Sequence, residues 1–280
     1  MEQVVVNKII PFSSVDGPGN RTAIFLQGCN INCKYCHNPE TRGLCISCGI
    51  CLDKCPAGAL SMVDKRVAYD RALCINCDTC IHVCPHDASP RTALMTAPMV
   101  FEQVKKQIPF IRGITVSGGE CMLHADFIRE LFTLAKAEGL GTLIDSNGTI
   151  DFTNQGQLLE VSDGVMLDIK AFFTEDHEKI TDTGNEIVLK NASFLAEAGK
   201  LFEVRAVIVP DLYDVKKSIQ AMAEFLKPMY NKNKFRIKLI AYRPMGVREI
   251  YSHYQVPGPA LMQELAGILK QDGFEDIIII

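Results

Sequence analysis

Short apolar runs alternate with longer segments of helical period along most of this 280-residue chain. Residues 22–27 form an apolar run closed by Gly28. A helical stretch is expected around 99–107. Runs at 114–116, 141–144, 165–169, 204–209 and 235–240 read as strands, each followed by residues of helical period near 126–138, 155–161, 175–199, 215–227 and 259–270. That makes six βα units, and such alternation implies a parallel sheet covered by helices. Six units with polar clusters at strand ends predict an α/β fold, an incomplete (β/α)6 TIM-like barrel. The tail, 277–280, reads equally as an extra strand or a buried terminal segment. One region breaks the pattern: residues 40–92 are short on apolar periodicity and rich in cysteine.

Composition narrows the classes without deciding among them. Apolar residues make up 48% and charged residues 22%, which excludes a disordered or fibrous chain. A net charge of −4 gives no footprint for nucleic acid or anionic lipid. No run approaches the ~18 apolar residues of a membrane span. The first residues lack a basic segment followed by an apolar one, so no secretory signal is expected and the cytoplasm is the expected compartment. Thiols stay reduced there, so twelve cysteines point to metal or catalysis rather than disulfides.

Eleven of the twelve cysteines lie between Cys29 and Cys84, in three sets. The second set is Cys45-x2-Cys48-x2-Cys51-x3-Cys55-Pro56, and the third is Cys74-x2-Cys77-x2-Cys80-x3-Cys84-Pro85. Each matches the bacterial ferredoxin run for 4Fe–4S cubes, in which the fourth cysteine serves the other cube. One cube then takes Cys45, Cys48, Cys51 and Cys84, and the other takes Cys74, Cys77, Cys80 and Cys55. The two runs repeat at a spacing of 29 residues, with a small hairpin expected between them at 60–63 and 66–69. Zinc, usually held by two pairs of ligands and often with His, fits this pattern poorly. His82 and His86 read as loop residues. The first set, Cys29-x3-Cys33-x2-Cys36, has only three cysteines. Three thiolates leave one iron of a cube open, which suits a catalytic site rather than a closed structural one. The alternative is a structural site completed by His37.

The polar clusters fall where a barrel places its chemistry, at the C-terminal ends of strands. They are Ser117-Gly118-Gly119-Glu120, Asp145-Ser146-Asn147-Gly148, the run Met166 to Lys170, Arg205, and Tyr242-Arg243. Taken singly, Gly-Gly and Asn-Gly are ordinary turn signals, and Asp168 with Lys170 reads as a salt bridge on one strand face. Their coincidence with successive strand ends points to one site. Cys121 reads as a small buried hydrophobe.

The three-cysteine spacing with Tyr35 before the last cysteine resembles the radical S-adenosylmethionine (SAM) signature. The chain as a whole resembles the glycyl radical enzyme activating enzymes. Pro11-Phe12-Ser13-Ser14-Val15-Asp16-Gly17-Pro18-Gly19-Asn20-Arg21 is similar to that family's lead into the first strand, and Cys36-His37-Asn38-Pro39-Glu40-Thr41 continues the likeness. The two-cluster insert resembles the larger branch of the family, YjjW-type activases above all; pyruvate formate-lyase activase lacks it. The resemblance implies a radical SAM partial barrel at 1–39 and 93–280, with a ferredoxin-like insert at 40–92. It implies three 4Fe–4S clusters and SAM. Cys29, Cys33 and Cys36 would hold the SAM-binding cube, with Tyr35 along the adenine. Gly118, Gly119 and Glu120 would receive the methionyl amino group. Asp168, Lys170 and Arg205 would surround the ribose and carboxylate, Asp168 and Lys170 being the catalytic candidates. Asp145, Ser146, Met166 and Asp168 match the ligands of a monovalent cation (Na or K), with Ser146 where a Thr is common. Arg243 stands where relatives often carry a His that contacts SAM, so no such contact is assigned to it.

The reaction so implied is reductive cleavage of SAM, the 5′-deoxyadenosyl radical taking the α-hydrogen of a glycine in a partner glycyl radical enzyme. Chelation at the open iron would remove any diffusional encounter, and the protein would orient the cofactors and exclude water. A flavodoxin or ferredoxin would supply electrons in an anaerobic setting, with the insert as a relay, a docking module or a structural element. Two alternatives carry different expectations. A radical SAM enzyme acting on a small molecule or RNA would form no protein radical. A two-cluster ferredoxin-type electron carrier would have no need of SAM.

Overall fold

The computed structural model describes residues 2–280. The chain opens with β1 (Gln3–Ser13) and β2 (Arg21–Leu26), an antiparallel pair. The cysteine-rich segment contains one hairpin, β3 (Leu60–Val63) with β4 (Arg66–Tyr69), and a single helical turn, α1 (Thr79–His82). Asp64 and Lys65, between the two strands, both have positive φ, the backbone of a tight two-residue hairpin turn. β5 (Ala93–Thr96) then returns to pair antiparallel with β1. Strands and helices alternate from there. The elements are α2 (Ala97–Lys105), β6 (Gly113–Gly118), α3 (Ala125–Ala137), β7 (Gly141–Ser146), α4 (Gly156–Glu160) and β8 (Gly164–Asp168). Then come α5 (Thr174–Thr181), α6 (Glu186–Glu197), β9 (Leu201–Ile208), α7 (Val215–Lys232), β10 (Arg236–Ala241), α8 (Pro259–Gln271) and β11 (Ile277–Ile279).

One nine-stranded sheet results, in the order β11-β10-β9-β8-β7-β6-β2-β1-β5. The six expected strands lie side by side in chain order and run parallel. The apolar tail joins them as a seventh parallel strand, pairing Ile237 with Ile277. The antiparallel edge of β1 and β5 has no counterpart among the expected elements.

Alternate residues of the parallel strands face opposite sides. Ile24, Leu26, Ile114, Val116, Ile144, Val165, Leu167, Val204, Ala206, Ile208, Ile237 and Leu239 pack with residues of α2 to α8 into the main core. α3 illustrates the supply from the helix side. It buries Phe127, Ile128, Leu131, Phe132 and Ala135, a single face at helical spacing. Each fully buried large side chain there contributes about 1.5–3 kcal/mol. The other strand face carries Arg21, Thr115, Ser117, Asp145, Asp168, Glu203, Arg205 and Lys238. α7 runs past Pro228 to Lys232, where its expected end was near 227. The proline removes one backbone donor, but Tyr230 beyond it is buried against the rings of Phe235 and Phe274. Among the described residues no helix is long and apolar enough to cross a membrane.

Candidate active site at the strand ends

β2 leaves the sheet at Gly28, whose φ of 106° turns the chain into the cysteine loop. Two strand ends hold that loop by their backbones. Gly119 N donates to Leu26 O at 3.0 Å and Glu120 N to Gly28 O at 2.8 Å. A Cβ on Gly118 would lie 2.2 Å from Leu26 O, and one on Gly119 2.1 Å from Gly28 O. The glycine pair is therefore dictated by the close approach of two backbones. The far side of the loop is bonded to the end of α5, through Asn32 N to Thr181 O and Lys34 N to Ile180 O, both at 3.0 Å.

Within this frame Cys29, Cys33 and Cys36 face one another closely enough that a charge on one disfavours a charge on the next. Burial pushes the Cys29 thiol up to about 11 and Cys33 up to about 12, and raises Cys36 as well. Lys170 opposes the rise at all three. Its Nζ donates to Asp168 Oδ2 at 2.6 Å. Burial works against that ammonium, but Asp168, Cys33 and Tyr35 more than offset it and hold its pKa well above that of a free lysine. One positive charge thus stands ready beside three thiols that must ionise to bind metal.

Glu120 is 1% exposed. Its Oε1 accepts from Met122 N at 2.9 Å and Ser146 Oγ at 2.8 Å, and its Oε2 from Asn147 N at 2.7 Å. Burial nevertheless pushes the carboxyl up to about 7. Asn147 Nδ2 reaches Cys29 Sγ at 3.8 Å and Asn30 Oδ1 at 3.1 Å, so this network ends on a cysteine of the loop. Deeper in the sheet, Asp145 accepts from Ser117 Oγ at 2.9 Å and pairs with Arg205 Nη1 at 2.8 Å. Arg205 also donates through Nε to Glu203 Oε1 at 2.6 Å and touches Met166 Sδ at 2.9 Å. Tyr35, 2% exposed, sits in the main core with its hydroxyl unpartnered. Arg243 offers its backbone carbonyl, 3.1 Å from His37 Nε2.

Comparison with known proteins decides the assignment. The family model described as a 4Fe-4S single cluster domain matches residues 15–185. The chain is 31% identical to the pyruvate formate-lyase-activating enzyme of Streptococcus mutans serotype c (strain ATCC 700610 / UA159), over 91% of this chain and 84% of that protein. It is 31% identical to the trans-4-hydroxy-L-proline dehydratase activating enzyme of Clostridioides difficile, over 98% of each. The chain belongs to the glycyl radical enzyme activating enzymes. It is thereby an activase and a radical SAM oxidoreductase. Its fold is similar to that of a domain of the pyruvate-formate lyase-activating enzyme from Bacteroides vulgatus ATCC 8482. The TM-score is 0.51 at 23% identity, over 60% of this chain and 98% of that one.

The other clustered cysteines of the activase lie in the segment between β2 and β5. All twelve thiols are free. One pocket is lined by Cys55, Cys74, Cys77 and Cys80, the set expected to share a cube, along with Tyr69 and Arg91. Backbone donors aim at two of these sulfurs, Ala59 N at 3.3 Å from Cys55 and Asn76 N at 3.4 Å from Cys74, and Thr79 Oγ1 shares a hydrogen bond with Cys77 at 3.3 Å. Cys51 lies near Cys80, with which it packs, and within electrostatic reach of Cys45 and Cys84 of the complementary set. Cys51, Leu60 and Cys80 form a small apolar cluster separate from the main core. Among the described residues no three His, Cys, Asp or Glu side chains are grouped as ligands of a single metal ion. In a cube each thiolate binds a different iron, so its cysteines stand wider apart than the ligands of one zinc.

The sequence pattern passed over several contributors to the site. Ser117 and Asn147 lay inside quoted motifs without a role. Glu203, two residues before the already named Arg205 in an apolar strand, carried a period-two signal. Arg248 carried none, because its partners are 161 and 215 residues away in sequence.

Proposed function

We propose that this activase binds SAM at a 4Fe–4S cube held by Cys29, Cys33 and Cys36 and acts on a glycine of a partner glycyl radical enzyme. The observation that carries the reading is the convergence of three mutually facing thiols, a charge-holding Lys170 and a buried Glu120 at the ends of successive strands. The residues fit the group. The cysteine set supplies soft donors for three irons, Lys170 offsets thiolate charge, and the Tyr35 hydroxyl is an unused donor beside them. When bound, a reduced cube would supply the one electron that cleaves SAM, and SAM the carbon radical that takes the glycine α-hydrogen.

The chain's own part is placement. Glu120, fixed by three hydrogen bonds, would receive the methionyl ammonium of SAM at the strand ends. Asp168 keeps Lys170 charged, and Arg205 keeps Asp145 aligned. Gly118 and Gly119 let the cysteine loop lie against the sheet, and the packed core behind Tyr35 and Met122 excludes water. A monovalent cation fits less well. Asp145 is engaged by Arg205 and Ser117, the Ser146 hydroxyl by Glu120, and Asp168 by Lys170, while Met166 lies in a strand paired on both sides. No step is assigned to such an ion.

In this reading residues 1–39 and 93–280 form an incomplete (β/α)6 barrel whose free edge leaves room for a peptide. Residues 40–92 form the ferredoxin-like insert, with cubes at Cys45, Cys48, Cys51, Cys84 and at Cys55, Cys74, Cys77, Cys80. A cytoplasmic flavodoxin or ferredoxin supplies electrons. The test is anaerobic: the reconstituted, reduced protein is mixed with SAM and a candidate glycyl radical enzyme, and the EPR spectrum is recorded. A carbon-radical doublet lost on replacing the target glycine by alanine supports the reading. Deoxyadenosine formed without a protein radical, across all candidate partners, refutes the protein substrate.

A further inference from the structure

Resting on the three-cube reading above, we propose that the cube of Cys45, Cys48, Cys51 and Cys84 is the immediate electron donor to the cube at Cys29, Cys33 and Cys36. The contact between them is one peptide unit, Arg42–Gly43, clamped by Asp87 and Arg248 as positioning residues. The Arg42 carbonyl accepts from Cys29 N at 2.9 Å, and the N–H of the same peptide, on Gly43, donates to Asp87 O at 2.7 Å. Cys29 opens the SAM-site set, and Asp87 stands three residues after Cys84. A single peptide therefore bridges the two cysteine loops, and Cys45 follows it by two residues. The approach is tight: a Cβ on Gly43 would lie 2.0 Å from His86 O.

Side chains lock the same junction. Asp87 Oδ2 accepts from Arg42 Nε at 2.9 Å and Nη2 at 2.5 Å, and from Arg248 Nη1 at 3.3 Å. Arg248 Nη2 donates to Cys33 O at 2.8 Å. Asp87 is thus tied to the backbone at Cys29 and at Cys33 of the SAM-site loop. The other set has different neighbours. The sulfurs of Cys55, Cys74 and Cys77 are met by Ala59, Asn76 and Thr79, and the Arg91 guanidinium beside them pairs with Asp78.

One electron moves in the proposed step. The proximal cube returns from its one-electron-reduced to its oxidised state as the SAM-site cube is reduced, and no bond or proton changes. The electron originates in a low-potential one-electron carrier protein of the flavodoxin or ferredoxin class.

The experiment compares the cluster-loaded wild type with Cys45→Ala/Cys48→Ala, Cys74→Ala/Cys77→Ala, Asp87→Asn and Asp87→Glu. The readouts are iron content, the spin relaxation of the reduced SAM-site cube by EPR, and its rate of reduction in stopped flow. Loss of Cys45 and Cys48 is expected to abolish fast relaxation of the SAM-site cube and to slow its reduction, while loss of Cys74 and Cys77 leaves its relaxation unchanged. Should either double variant fail to fold, the Asp87 pair carries the test. Asp87→Asn is expected to keep the iron of three cubes yet slow reduction several-fold, with partial recovery in Asp87→Glu. The proposal is overturned if the Cys74/Cys77 variant, and not the Cys45/Cys48 variant, loses the coupling, or if Asp87→Asn reduces at the wild-type rate. SAM added to the wild type should shift the EPR signal of the SAM-site cube. With no such shift the SAM-site reading falls, iron short of three cubes removes the three-cube reading, and an intact shift with the wrong coupling partner removes only this relay order.

Discussion

Glu120 gives the sharpest quantitative test of the site, because its burial and its hydrogen bonds pull in opposite directions. The carboxyl goes from an ordinary value of 4.5 to about 7 when folded, burial outweighing three donated hydrogen bonds. That rise makes the ionised form ~3 kcal/mol less compatible with the folded state than the protonated form. Its contribution to stability is full below the unfolded value, where both states hold the proton. It is lost as pH rises through about 7, because the unfolded chain ionises first and binds fewer protons than the native one. This is opposite to the usual salt-bridged carboxylate. Glu120→Gln abolishes the titration but turns an amide N–H2 toward Asn147 N, a lost acceptor that costs about 1–3 kcal/mol. The variant should therefore melt below the wild type at pH 5, and the gap should close by ~6–12 °C by pH 8, at roughly 2–4 °C per kcal/mol for a chain of this size. The assay is anaerobic calorimetry of the two SAM-free proteins side by side. Parallel melting curves across that range would refute a buried, proton-holding Glu120.

Gly119→Ala would push a methyl to 2.1 Å from a backbone carbonyl that cannot move without the cysteine loop, so a loss of about 3 kcal/mol or more and lower occupancy of the SAM-site cube are expected, read by melting and iron analysis. Lys170→Met removes the charge facing Cys29, Cys33 and Cys36; the SAM-site cube should become harder to reduce, seen as a more negative midpoint in an EPR redox titration, and an unchanged midpoint would remove Lys170 from the site. Cys121, fully buried with its thiol donating to Asp145 O at 3.2 Å, is structural, so Cys121→Ala should cost about 1 kcal/mol and retain all cluster iron.

The six parallel strands were legible because each is a short apolar run closed by glycine or polar residues, and the observed strands depart from expectation by a few residues at most. The antiparallel edge was not. β1 reads as a mixed run, with exposed Pro11 and Phe12, and the opening was interpretable only as a motif. Strand parity was also hidden, since strands buried on both faces show no clean alternation to the eye. The grouping of the cysteines into sets comes from spacing, and Cys55 lines one pocket with Cys74, Cys77 and Cys80, the residues that spacing groups with it. What spacing does not encode is the junction between loops. Arg42, Asp87 and Arg248 are ordinary surface residue types in sequence, and they acquire meaning only when three distant segments meet.

The parity of the strands separates stability from function in this fold. Residues on the helix side are apolar and close-packed, and they supply the burial energy. Residues on the opposite face are charged and expensive. Glu203 is fully buried, with Arg205 at 2.6 Å, Lys238 at 3.3 Å and Arg236 at 3.8 Å around it, and Arg205 in turn holds Asp145. Such a row is weak evidence for stability, because well-packed apolar residues of similar volume would serve as well or better. Its worth lies in what it fixes. Each of these charges is held by a partner on its own or a nearby strand, so the face presents oriented dipoles that need no rearrangement when a charged group binds at the strand ends. The row leads, through Asp145 and Ser117, to the strand ends that carry the cysteine loop, Glu120 and Lys170. The costly face and the reactive end of the sheet are thus one continuous arrangement.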